Sequence, residues 1–402
     1  MAETKGSVET ELKKELQTVV KKILEDEDYG FQTTIEAIRI LSSLAEFKMK
    51  KPLLSEIMGD IVVLASTQTY GRPHMKKWLK ECNLTWPPSQ QELDQDVGAQ
   101  ASTEVDLTYL NSLLETLSSS SVPDRKRAAK ELRRLTKNTK SYKAALCEFS
   151  NAISRLLSPL MEPKSKSDPD LQEDLITTVF NASLHGNNKK QLAENPVVIP
   201  LLIESIMLGT IETRRNAAAT LGSLSELDSN KFIIGNSGAV APLLKLLHEG
   251  HPLAIKDAVL AIFNLCMVCE NKAKFVEKGA VELILQKIND SIFVDELLVI
   301  LAMLSTNRAA IDELGDCKTL QSLLQIIRHS SSECSKENCV AILYNVCSKD
   351  LTLLMVIRAE EIKKHTLAKL AYTGTTRAKR KAIAIISRIH RAFPAISIGK
   401  CF

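Results

Sequence analysis

The stretch NSGAVAPLLKLLHEGHPLAIKDAVLAIFNLC, residues 236–266, decides the architecture once it is laid against ENPVVIPLLIESIMLGTIETRRNAAATLGSLS, residues 194–225. Each holds a break (Gly238 in one, Asn195-Pro196 in the other), an apolar run at helical spacing, a polar turn, and a longer helical segment rich in small and aliphatic residues. A unit of this kind cannot cover its own apolar faces, but stacking on a neighbour of the same design does. The pattern recurs along the chain. The last helix of each unit starts near Arg127, Asp174, Asn216, Asp257, Glu296, Asn338 and Lys381, with spacings of 47, 42, 41, 39, 42 and 43 residues.

Helical units of about 40 residues fit armadillo or HEAT arrays and exclude the shorter period, about 33–34, of ankyrin and tetratricopeptide arrays. Composition agrees. Of 402 residues 45% are hydrophobic and 25% charged, while glycine numbers only 15 and aromatics 4%, which disfavours β-rich and turn-rich architectures. The fold class is therefore predicted to be all-α, a right-handed superhelix (solenoid) of armadillo or HEAT units over 107–393. Before it, Leu12, Leu16, Val19, Ile23 and Leu24, then Phe31, Ile35, Ile38, Leu41 and Leu44, predict a helical N-terminal segment over 1–45. Residues 46–93 change texture, with a β-branched, turn-like DIVVLASTQTYGRP followed by a short helix around Trp78, and predict a small α/β element. Polar residues 94–106 read as a linker and 394–402 as a tail.

The formal charge of +4 averages two unlike parts. Ten of the 52 bases and none of the 48 acids fall in 362–402, so that segment carries +10 and the first 361 residues −6. No apolar run approaches the roughly 18 residues of a membrane span, and the nine scattered cysteines and the start MAETKGSVETELKKELQ point to a reduced interior, cytoplasmic or nuclear.

Catalytic chemistry finds little support. There is no phosphate-binding loop, dinucleotide fingerprint or nucleophile elbow. Cys266-Met267-Val268-Cys269 has the spacing of half a zinc site, but no second half follows and the histidines make no i, i+4 pair, so no metal and no cofactor are expected. Cys347 in YNVC repeats the place of Cys266 in FNLC, as core thiols would. Asn181, Asn264 and Asn345 occupy equivalent positions, seven residues after their anchors. On a concave face such amides can line a peptide groove; alternatively they bond neighbouring helices. Arg134, Ser223, Met303 and Arg388 interrupt the row. Arg377, Lys379, Arg380 and Lys381 mark a candidate patch for an anionic partner at the C-terminal end.

Beyond these readings, an ordered series of motifs is present: Pro52-Leu53, Glu56-Ile57-Met58-Gly59-Asp60-Ile61-Val62-Val63, Gln68-Thr69-Tyr70-Gly71-Arg72, Lys77-Trp78-Leu79, Asn83-Leu84-Thr85-Trp86-Pro87 and Gln91-Glu92-Leu93. With the repeats, it resembles the plant U-box proteins with armadillo repeats, a family of ubiquitin-protein ligases. The resemblance implies a ubiquitin-conjugating enzyme as partner, contacted by Leu53 and Pro87, with Val62, Tyr70 and Trp78 as core of the small domain. It implies neither zinc nor a covalent intermediate on the ligase. Protein clients or receptor-like kinases would be bound by the repeats, and rate would come from proximity.

The chain departs from the family pattern at Met49, Lys51, Ile61, Thr67, Gly71 and Trp86, and it passes from Leu93 to the linker without the family's last strand and helix. Hence the second expectation, a non-catalytic armadillo adaptor whose U-box is degenerate and partial.

Overall fold

The computed structural model describes residues 106–148, 151–162, 168–347 and 350–393. The expected N-terminal helices, the element over 46–93 with Leu53, Val62, Tyr70, Trp78 and Pro87, the linker up to residue 105 and the tail 394–402 lie outside the described residues.

The described residues form a stack of helical units. The first unit contributes α1 (Leu107–Thr116) and α2 (Val122–Asn138). The second has α3 (Lys140–Glu148), α4 (Ala152–Leu157) continued by a 3-10 turn (Ser158–Met161), and α5 (Pro169–Ser183). The third has α6 (Asn188–Glu194), α7 (Val198–Leu208) and α8 (Ile211–Leu224), and the fourth α9 (Asp228–Asn236), α10 (Val240–Glu249) and α11 (Pro252–Leu265). The fifth comprises α12 (Cys269–Glu277), α13 (Ala280–Asn289) and α14 (Val294–Leu304); the sixth α15 (Arg308–Leu314), α16 (Cys317–His329) and α17 (Glu333–Cys347). The seventh closes with α18 (Leu351–Lys364), α19 (Thr366–Thr373) and α20 (Thr376–Ala392). Among the described residues there is no strand. This is the all-α solenoid that the repeat spacing predicts, of the armadillo kind that the family resemblance implies.

Local chemistry sets where each third helix starts. Proline occupies the first turn of α2, α5 and α11, where its missing N–H costs no hydrogen bond. Side chains cap others: Asp168 Oδ1 accepts from Leu171 N at 3.2 Å, and Thr210 and Thr375 Oγ1 accept from Thr213 and Ala378 N, each at 3.2 Å. Such a cap is worth about 1 kcal/mol. Between first and second helices the breaks read at Gly238 and Gly279 adopt φ of 89° and 79°, the left-handed region where a side chain would be strained.

The third helices α2, α5, α8, α11, α14, α17 and α20 pack one against the next in a continuous layer. Their inward faces are aliphatic or small: Leu175, Ile176 and Val179 in α5, Ala217, Ala218 and Leu221 in α8, and every residue from Leu297 to Leu304 in α14 are buried. Truncating one of these leucines to alanine is worth about 2–5 kcal/mol, so each interface matters on the scale of total stability.

Candidate partner-binding face

Side chains of the third helices reach across unit boundaries. Arg133 of α2 pairs with Asp174 at 2.7 Å and Glu173 at 3.2 Å in α5. Asn216 of α8 donates to Thr177 Oγ1 at 2.9 Å, and Arg215 meets Asp257 of α11 at 3.3 Å. Asp295 at the start of α14 accepts from the hydroxyls of Ser332, at 2.7 Å, and Ser335. Arg377 of α20 meets Glu337 of α17 at 3.5 Å, and Lys381 Nζ lies 4.9 Å from the centre of the Tyr344 ring. Burial pushes the Asp257 carboxyl up to about 6 against the pull of Arg215. Burial also lowers Lys381 below the usual lysine value, with Arg377 adding to the effect.

The layer thus carries charge in zones. At its first end, Lys126, Lys130 and Arg133 face Asp170, Glu173 and Asp174 across a cleft of about 430 Å³, with Lys126 bridging to Asp168 at 2.9 Å and Asp170 at 3.1 Å. In the middle, Asp257 is paired with Arg215, Asp295 accepts from Ser332 and Ser335, and Glu337 is paired with Arg377. Tyr344 stands 40% exposed beside Lys381, an aromatic open to a ligand. Such a surface can take an extended or helical segment of another protein by ion pairing and stacking.

The asparagine row lies on this layer, each member bonded to the third helix before it. Asn181 donates to Thr136 Oγ1 at 3.2 Å and the Arg133 carbonyl at 3.4 Å, Asn264 to the Gly222 carbonyl at 3.0 Å, and Asn345 to Ser305 Oγ at 2.8 Å. Asn181 and Asn264 are buried and Asn345 half-buried. Cys266 and Cys347 are buried, and burial pushes both thiols up, Cys347 to about 12. Cys269 is exposed, in the first turn of α12. Of the basic patch, Arg377 and Lys381 turn to the preceding unit, while Lys379 is half-buried and Arg380 exposed.

A second row escaped the sequence reading. Asn188 donates to the carbonyls of Lys143 (2.7 Å) and Ala182 (3.0 Å), Asn230 to Lys189 (2.9 Å) and Leu224 (3.0 Å), and Asn271 to Lys231 (2.9 Å) and Leu265 (3.1 Å). The lysine that follows each is turned inward. Lys189 Nζ reaches the Ser223 carbonyl at 2.9 Å and Glu226 at 2.8 Å, Lys231 pairs with Asp228, and Lys272 donates to Thr306 Oγ1 at 3.3 Å. The signal was available as an Asn-Lys dipeptide recurring at 188, 230 and 271, the spacing of the units.

Comparison with known proteins agrees with this architecture. Residues 109–288 match the family described as plant U-box protein ARM repeat region. The chain is 40% identical to U-box domain-containing protein 9 of Arabidopsis thaliana, covering 95% of each, and 37% identical to the putative U-box domain-containing protein 46 of the same plant, covering 97% of this chain and 98% of that one. The first alignment runs over 436 positions, more than the 402 residues of this chain, so the relative has segments this chain lacks. Among solved structures, an engineered protein superposes with a TM-score of 0.60 at 17% identity, covering 93% of this chain and 98% of that one. A computationally designed armadillo repeat protein for modular peptide recognition gives 0.52 at 21%, over 59% of this chain and 99% of that one. At these identities the structural likeness concerns the fold alone.

Proposed function

The chain belongs to the plant U-box proteins with armadillo repeats, and from that premise we propose that it acts in protein ubiquitination, with the third-helix layer holding a protein client, among them receptor-like kinases. A ubiquitin-conjugating enzyme would be met by residues 46–93 through Leu53 and Pro87, with Val62, Tyr70 and Trp78 holding that domain together. Catalysis would then consist of bringing the enzyme's thioester near a client lysine. The observation supporting client binding is this layer, with its first-end cleft lined by charged side chains and Tyr344 exposed beside Lys381. Asn181, Asn264 and Asn345 would shape that surface from within, Asn345 with the most direct access to a client.

A second reading, the non-catalytic adaptor, is favoured by Lys51 and Trp86 in the loops meant for the conjugating enzyme, and by the length that the relative has and this chain lacks. Self-ubiquitination with a panel of conjugating enzymes separates the two. Chains that form, and that Pro87→Ala abolishes, support the ligase. Their absence under conditions where a client still binds the full chain leaves the adaptor.

A further inference from the structure

Among the described residues no unit follows the last third helix, and positions that every earlier unit covers are open there. Two residues after each anchor stand Ala129, Ile176, Ala218, Val259, Leu298 and Val340, none more than 1% exposed; in α20 the same position is Ile383, 52% exposed. Nine residues after each anchor, Thr136, Ser183, Ser225, Cys266, Ser305 and Cys347 are buried, and α20 has His390, exposed. The second helices show the same change. In α10, Lys245 and His248 line a cleft of about 430 Å³ against Lys278, Gly279 and Glu282 of the next unit. Counting back from Gly250 and from Gly374 places Lys369 and Tyr372 at the same two positions of α19, where Tyr372 is 85% exposed.

This end is not a simple polar cap, which would replace apolar residues with mixed charge. It keeps Ile383 and the half-buried Ile386, adds a protruding tyrosine, and sets them among Lys369, Lys379 and His390, while 366–392 contains no acid at all. We propose that the open end of the seventh unit binds an anionic phospholipid surface, with Lys369 and Lys379 at the headgroups and Tyr372 and Ile383 entering the interface. A second copy docked on the same face would bring bases against bases. An acidic soluble protein would answer the charge but not the outward Tyr372 and Ile383. A membrane needs no groove, only apolar side chains projecting from a basic surface, and tyrosine favours the depth of the headgroups. Arg377 and Lys381 stand apart from this site, since they turn to Glu337 and Tyr344 of the sixth unit.

The test is co-sedimentation of the full chain with vesicles of phosphatidylcholine alone and of phosphatidylcholine with about 30% phosphatidylserine, with thermal melting of each variant to confirm folding. The wild type is expected on the anionic vesicles only, and to leave them at about 0.5 M salt, where screening acts within about 4 Å. Lys369→Gln with Lys379→Gln should weaken binding about thirtyfold, taking about 1 kcal/mol per base near the surface. Tyr372→Ser with Ile383→Ser, both at exposed positions, should weaken it while leaving the charge unchanged. No binding to anionic vesicles overturns the proposal, as does binding that survives both pairs. Loss with the lysine pair but not with the Tyr372 and Ile383 pair also overturns it, because Tyr372 and Ile383 would then take no part in the interface.

Discussion

Asn230 is the most instructive side chain to perturb, because it is fully buried and its amide closes two carbonyls in two other helices, Lys189 in α6 and Leu224 in α8. Asn230→Asp keeps the volume and removes the donor, so no cavity term enters. Two buried carbonyls then lose their partner, at about 1–3 kcal/mol each, which predicts a destabilisation of about 2–6 kcal/mol at neutral pH. In a solenoid that loss acts locally, between the third and fourth units, so urea unfolding followed by circular dichroism should move to lower urea and separate into two transitions. The pH dependence has a definite sign. The buried carboxyl, facing carbonyl oxygens, is raised above its unfolded value; the variant is thus relieved below about pH 4, where the acid is protonated and donates to one carbonyl, and bears the full penalty above its folded pKa. The gap from wild type must widen as pH rises from 4 to 7. An unfolding curve within about 0.5 kcal/mol of wild type at pH 7, or a gap that widens toward acid, would refute the stapling role given to the Asn-Lys row.

Gly235→Ala drives a methyl carbon into Asn271 Oδ1, so it should cost about 1–3 kcal/mol in urea denaturation, and Gly235→Ala with Asn271→Ala should cost less than the two single changes added together. Asp257, raised to about 6 by burial, contributes stability that is full below its unfolded value near 4 and is lost as pH rises to 6. Asp257→Asn should abolish that part of the pH dependence, on the order of 3 kcal/mol, as read from melts between pH 4 and 7; an unchanged profile would place the titration elsewhere. Tyr344→Ala, at an exposed position, should leave stability within about 0.5 kcal/mol and weaken client binding several-fold in a pull-down with purified client; equal binding would remove Tyr344 from the client surface.

The solenoid could be read from the chain because its determinants are local and repeated. Apolar runs of helical period, Gly238 and Gly279 at the breaks and seven third helices spaced by 39–47 residues leave few other ways to cover the apolar faces. The second asparagine row was harder to see, because Asn-Lys in a short helix has the composition of a solvated surface. Its burial depends on register: only when α9 lies over the end of α8 and beside α6 does Asn230 meet two carbonyls, and only then does Lys189 find Glu226. The C-terminal basic patch shows the same limit. Counting charge along 362–402 finds the excess of bases, but Glu337, which engages Arg377, and Tyr344, which receives Lys381, belong to the preceding unit, 40 and 37 residues away. The conjugating-enzyme contacts at Leu53 and Pro87 rest on motif order alone.

The ubiquitination account meets its most direct test in single-turnover discharge of a ubiquitin-charged conjugating enzyme onto free lysine, with and without the full chain. It predicts that the chain accelerates discharge by at least one of a panel of conjugating enzymes, and that Leu53→Ala and Pro87→Ala each return the rate to that of the enzyme alone while client binding persists. Discharge that is no faster with the chain present, across the panel, would contradict the ligase account and leave the solenoid as an adaptor.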